Sequence, residues 1–90
     1  MAPMPDPIDW PVLYAFAGPE LHEAGKEYRA AFGTMAAVAI EWANAPAGAQ
    51  RDEAQRVAFA AALKLRDAEA WHQALGARLW AERRGGGSDA

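Results

Sequence analysis

The chain has 90 residues, no cysteine and a formal net charge of −3 at pH 7. This length suits one small domain, and the lack of cysteine excludes disulfides, thiolate metal sites and cysteine nucleophiles. The charge is uneven, because residues 1–50 carry six acidic and two basic side chains whereas residues 51–90 carry six and seven. A phosphate-binding surface needs a continuous basic face, so we expect no nucleic-acid partner.

The first part of the chain predicts an extended lead followed by a short helix. Residues 1–7 carry three alternating prolines, which predicts a flexible segment. The start also lacks the basic residues of a signal peptide, and no apolar run could cross a bilayer, so we expect no membrane partner. The lack of cysteine suits a reducing compartment, so we expect a cytoplasmic protein. Asp9 and Pro11 suit the start of a helix over 10–17, which Gly18 would end. Because this helix is almost wholly apolar, we expect it to cover a larger core, or else to dock on another protein.

A second helix is predicted over 19–43, with Pro19 in its first position. Apolar residues recur along it at alternating steps of four and three, which is the spacing of a seam between two packed helices. The seam residues are Leu21, Gly25, Tyr28, Phe32, Met35, Ala39 and Trp42. Gly25 lies on this seam and Gly33 does not, so we expect Gly25 to permit the close approach of a neighbouring element.

A third, longer helix is predicted over 50–84, after a loop in which Asn44 takes the left-handed cap conformation. Asp52 and Glu53 suit the positive end of its dipole, the arginines near residue 84 suit the negative end, and the glycines at 85–87 should end it. Residues 85–90 would then be a flexible tail. The face that matches the seam consists of Val57, Ala58, Ala61, Leu65, Ala68, His72, Leu75 and Leu79.

The predicted fold is therefore all-α, an antiparallel helical hairpin with the short N-terminal helix packed across it, in one domain over residues 8–84. The third helix carries apolar residues beyond its seam: Phe59 and Leu63 point away from it, and Trp71 and Trp80 flank it. One antiparallel partner cannot cover all of them, so either the short helix or another chain must. Tryptophan near arginine is typical of interface hot spots, and we assign these four as protein-interface residues that complete a bundle by dimerisation.

Few residues suit catalysis or metal binding. Glu69 and His72 have the Glu-x-x-His spacing of helical metal sites, and His22 and Glu23 fall at the same level of the hairpin, but Glu23 points away from the seam. We therefore expect His72 to lie among Leu65, Leu75 and Leu79 with a hydrogen-bond partner, either Tyr28 or a backbone carbonyl. The chain has one serine, in the tail, and one threonine, so we predict no catalytic site and no cofactor.

The function predicted from these patterns is non-catalytic protein–protein interaction, with a partner that includes a second copy of the chain. Two alternatives remain open. One is a small phage or mobile-element protein that inhibits a host enzyme by binding its surface. The other is a metal-binding helical bundle that uses Glu69 and His72.

Overall fold

The computed structural model describes the backbone of residues 7–88 and the side chains of residues 7–83. This part of the chain is helical throughout except for its connections: α1 spans Trp10–Phe16, α2 spans Pro19–Asn44 and α3 spans Ala49–Ser88. The predicted all-α fold with three helices is confirmed. Most of the proline-rich lead, and the last two residues of the predicted tail, lie outside the described residues. None of the helices described is both long enough and apolar enough to cross a membrane.

The start of α1 follows the prediction, but its end does not. Asp9 caps α1, and its Oδ1 accepts a hydrogen bond of 3.2 Å from the amide of Val12. The prediction that Gly18 ends α1 is wrong, because α1 ends at Phe16 and Gly18 is instead the N-cap of α2, with φ −79° and ψ −174°. Pro19 explains this conformation, since a proline in the first helical position drives the residue before it into the extended region.

The turn between α2 and α3 uses glycine where the sequence analysis expected asparagine. Asn44 keeps a helical backbone as the last residue of α2, and its Nδ2 donates a 2.9 Å hydrogen bond to the carbonyl of Ile40. This bond folds the Asn44 side chain back along the last turn of the helix. The left-handed conformation occurs at Gly48, with φ 108°, where a side chain would be strained.

The prediction that the glycines at 85–87 end the third helix is also wrong. The helical backbone of α3 continues to Ser88. Glycine weakens a helix by about 1 kcal/mol per residue but keeps its amide donor, whereas proline removes the donor and blocks the turn. The basic residues near position 84 therefore lie before the last turn of the helix. The flexibility expected for residues 85–90 remains a prediction.

Two packing contacts define the architecture: α2 packs along α3, and α1 packs against α3. Near the loop, the ring of Trp42 meets Phe59 edge-on at 5.9 Å, and far from the loop Arg78 lies 3.4 Å from Glu20. Residues near the loop on one helix thus contact residues near the loop on the other, and residues far from the loop contact residues far from it. This is the order expected for two helices joined by a short connection.

The buried core is small. Its apolar members are Leu13, Leu21, Ala24, Ala58, Ala61 and Leu75. Half of these side chains are alanine, which removes little apolar surface from water. The chain is also elongated, with a radius of gyration of 18.1 Å, against about 12 Å for a compact chain of this length. Little of its apolar surface is therefore enclosed within one copy.

The seam on α2 differs from the predicted one in its second half. Phe32, a predicted seam residue, is 59% exposed, whereas Ala24, which was not predicted, is fully buried. Half-buried Ala31 and Val38 continue the line that begins at Ala24. The other six predicted seam residues are buried or half-buried. The contact with α3 thus keeps most of the predicted seam and adds Ala24, Ala31 and Val38 on one side of it, which leaves Phe32 turned out to solvent. On α3, Val57 is likewise 43% exposed although it was predicted to face the seam.

Candidate functional site

The four predicted interface residues fall into two groups. Phe59, Leu63 and Trp71 are 55%, 52% and 43% exposed, respectively. Trp80 is half-buried and packs on the buried cluster of leucines that joins α1, α2 and α3. The exposed three therefore remain candidates for an interface with another protein, while Trp80 already contributes to the packing of this chain.

The short helix α1 covers the C-terminal half of α3. Leu13 is buried in the same cluster as Leu75, and the guanidinium of Arg83 lies 4.1 Å from the centre of the Phe16 ring. The Trp80 ring is 6.0 Å from the same guanidinium, and its buried Nε1 has no hydrogen-bond partner among the described residues. The sequence analysis expected either the short helix or another chain to cover this part of α3. In the structure, α1 packs on it.

Two glycines make this docking possible. A Cβ atom at Gly25 would overlap the hydroxyl of Tyr14, and one at Gly76 would lie 2.5 Å from Cζ3 of the Trp10 indole. The prediction that Gly25 permits a close approach is therefore confirmed, while Gly33 has no atom within 4 Å of such a Cβ. Gly76 was missed by the sequence analysis. Together the two glycines form the flat surfaces on which the aromatic rings of α1 rest.

His72 is the centre of an aromatic cluster at this junction. The Trp10 indole stacks on its ring, with centroids 4.4 Å apart and planes at 15°, and the Tyr28 ring lies at 5.5 Å. Its Nε2 is 2.6 Å from the hydroxyl of Tyr14. The predicted partner, Tyr28 or a backbone carbonyl, is wrong, because the hydroxyl of Tyr14 on α1 takes this position. The ring of His22 meets Tyr14 edge-on at 5.2 Å.

The electrostatics of the cluster favour a neutral imidazole. Burial lowers the pKa of His72 below its ordinary value, and the positive charge of Arg29 lowers it further. The neutral ring has a tautomer with an unprotonated Nε2, and in that tautomer Nε2 accepts a hydrogen bond from the Tyr14 hydroxyl. His72 thus contributes to holding α1 against α3 in the uncharged form.

An open groove of about 420 Å³ borders this cluster, and Glu69 and Gln73 line it together with Arg29. Within the described residues, no three His, Asp or Glu side chains come close enough together to hold a metal ion. The groove also places the guanidinium of Arg29 beside the imidazole, and Nε2 of His72 is engaged by Tyr14. Both features disfavour a cation between Glu69 and His72.

Exposed apolar side chains are the other notable feature of the surface. Seven large ones are at least two-fifths exposed: Phe16, Phe32, Ile40, Val57, Phe59, Leu63 and Trp71. Only three large aliphatic residues, all leucines, are buried. Among the described residues, large apolar side chains in contact with water thus outnumber those enclosed in the core, which is unusual for a self-contained domain.

The chain was compared with known proteins at the levels of sequence and fold. No protein-family model, no curated protein and no solved structure matches it.

Proposed function

We propose that this chain is a non-catalytic protein-interaction module that associates with a second copy of itself. In this proposal the unit is an antiparallel hairpin of α2 and α3, closed at one end by α1, and two such hairpins form a bundle. The observation that carries the proposal is the excess of exposed over buried large apolar residues, seven against three leucines.

The size of the exposed surface supports association. A large apolar side chain offers about 150 Å² or more, so seven that are half exposed leave on the order of 500 Å² in contact with water. A stable interface takes about 800 Å² from each partner, of which somewhat more than half is apolar. Taken together, these side chains, which are spread over all three helices, offer about as much apolar area as one interface of ordinary size contains.

The energy is also of the required order. At about 25 cal/mol per Å², burial of this surface contributes roughly 10 kcal/mol per copy. Association costs about 4 to 15 kcal/mol in lost freedom of motion and ordering. Two copies that bury their surfaces against each other would thus gain enough free energy to form a stable dimer.

A matched set of variants tests this proposal. In one variant, Phe59 and Trp71 are both replaced by serine; in the control, the exposed polar residues Lys26 and Glu41 on α2 are replaced by serine instead. We expect the first variant to lose association in light scattering while its helix content in circular dichroism stays close to that of the native chain. The control should associate like the native chain. Equal association of both variants and the native chain would contradict the proposal.

A further inference from the structure

The side of α3 opposite its buried residues Ala58 and Ala61 is apolar along most of its length. With 3.6 residues per turn, six residues share this side: Phe59, Leu63, Ala70, Ala74, Ala77 and Ala81. All six are exposed, and the two large ones are more than half exposed. We call this set the outer face of α3. Arg66 and Asp67 lie at its two edges, and they form an exposed pair 3.7 Å apart.

The other helices reach the outer face only at one end, where the Trp42 ring of α2 meets Phe59 edge-on at 5.9 Å and leaves it 55% exposed. The residues of α3 that contact α2 lie on the opposite side, where Ala58 and Ala61 are buried. The rings of α1 rest over His72 and Gly76, which lie about a quarter of a turn or more from the outer face. The six apolar residues are thus open to a partner along about 33 Å of helix, from residue 59 to residue 81.

Large residues occupy one end of the outer face and alanines occupy the other. A second copy of α3 that runs in the opposite direction can therefore place its small residues opposite the large ones of the first. Phe59 lies 11 residues before Ala70 and Ala81 lies 11 residues after it (70 − 59 = 81 − 70). Leu63 lies seven residues before Ala70 and Ala77 lies seven residues after it. Reversal of the helix about Ala70 therefore places each large side chain opposite an alanine.

From this order we propose that two copies of the chain pair through the outer faces of α3, antiparallel, with a two-fold axis at Ala70. This inference rests on the self-association proposed above and names one surface and register for it, which bury Phe59 and Leu63 of the seven exposed large side chains. Phe59 and Leu63 of each copy lie on the alanines of the other, and Ala70 meets its own counterpart. Small residues at the centre of the contact allow the helix axes to approach to about 8 Å.

Size and charge favour a second copy in this orientation. A parallel pair would place Phe59 against Phe59 at one end and Ala81 against Ala81 at the other. The two large rings would hold the helices apart and leave an unfilled gap between the alanines. In the antiparallel pair each large side chain meets a small one, and two alanines meet only at the two-fold axis, which suits a well-packed contact. Arg66 and Asp67 then lie opposite Ala74 and Gln73 of the other copy, so the pairing does not oppose like charges there.

Cysteine cross-linking tests the register, because the native chain contains no cysteine. In the Ala70→Cys variant the two thiols lie across the two-fold axis, and we expect mild oxidation to give a covalent dimer rapidly and in high yield. Lys64→Cys provides the control, since Lys64 is exposed near the middle of α3 but faces a different side. A cross-linking rate for Ala70→Cys no higher than that for Lys64→Cys would overturn the inference.

An exchange of charges provides a second test that does not depend on a disulfide. Leu63→Glu alone and Ala77→Lys alone should each raise the dimer dissociation constant at least about tenfold, because each buries one unpaired charge per copy facing an apolar surface. The double variant should recover most of this loss. Residues 63 and 77 are 14 positions apart in one helix, about 21 Å, so they can pair only between copies.

These experiments separate the inference from the proposal on which it rests. Should the native chain be a dimer while Ala70→Cys fails to cross-link and the double variant fails to recover, the surface and register are wrong but self-association stands. A native chain that is monomeric at all concentrations would overturn both. Circular dichroism of each variant identifies any that lose their helices. If the charged variants do so, the cysteine variants, which change the side-chain volume little, still test the register.

Discussion

Substitution of alanine for glycine at two positions in the helices should have opposite effects on stability. Gly33 lies in α2 with no atom within 4 Å of the place where a Cβ would stand. Gly76 lies in α3 beneath the indole of Trp10, and a Cβ there would lie 2.5 Å from Cζ3 of that ring. Both glycines are in helix interiors, so the two substitutions share the same backbone effect and differ in what the added methyl group meets.

The backbone effect is favourable in both cases. Replacement of glycine by alanine inside a helix stabilises it by about 1 kcal/mol. For Gly33→Ala we expect this gain in full. For Gly76→Ala the methyl group displaces the indole, and overpacking of this kind costs about 1 to 3 kcal/mol. The stacking of Trp10 on His72 is disturbed as well, so the net result is a loss of about 1 kcal/mol.

Urea denaturation followed by circular dichroism measures both free energies of unfolding, and both are measured at one protein concentration because the chain is proposed to associate. The expected difference between the two variants is about 2 kcal/mol. The decisive control is to introduce Gly76→Ala into a chain that already carries Trp10→Ala. Without the indole, Gly76→Ala should stabilise the chain. If Gly76→Ala stabilises the native chain as much as Gly33→Ala does, α1 does not rest on α3 at this point.

Three further outcomes follow from the packing around α1. Lowering the pH from 7.5 to 5 should destabilise the chain through His72, because the pKa of His72 is lower in the folded state than in the unfolded state. Its contribution to the free energy of unfolding is complete above the unfolded-state pKa of about 6.5 and is lost as the pH falls below it. The variant His72→Gln should lose this part of the pH dependence in denaturation curves, whereas His22→Gln should keep it. Trp80→Ala should cost about 3 kcal/mol of unfolding free energy and Trp71→Ala less than about 1 kcal/mol, because only Trp80 packs on the buried cluster; equal costs would contradict this placement. Tyr14→Phe should cost about 1 kcal/mol through the lost hydrogen bond to His72, and an unchanged stability would show that this bond contributes nothing.

The local features of the helices could be predicted from the sequence. Asp9 at the start of α1 and Pro19 at the start of α2 act through the backbone of their own turn, so their effect does not depend on the rest of the fold. Gly25 was also predicted correctly, because it lies on the predicted seam whereas Gly33 does not. Such features are visible in a window of a few residues.

Features that depend on distant parts of the chain could not be predicted in this way. The role of Gly76 and the bond between Tyr14 and His72 both depend on where α1 comes to rest, and no periodicity within α1 specifies that. The exposure of Phe32 depends on how α2 is rotated against α3, and a small rotation is enough to expose it. The apolar spacing at Phe32 fits either rotation.

The continuation of α3 past residue 84 shows a different limit. The three glycines predicted a stop because glycine commonly occupies the residue after a helix. Glycine at that position is a preference and not a block, and without a following proline the helical hydrogen bonds continue to Ser88. The end of a helix is therefore harder to predict than its existence.

The central claim is that the exposed apolar surface of this chain binds a second copy. Sedimentation equilibrium of the native chain over a concentration series tests it most directly, with the mass fitted independently at each concentration. We expect a reversible change from one to two chain masses, or a dimer throughout. A single chain mass at every concentration would contradict the claim, since the seven exposed side chains would then remain in contact with water.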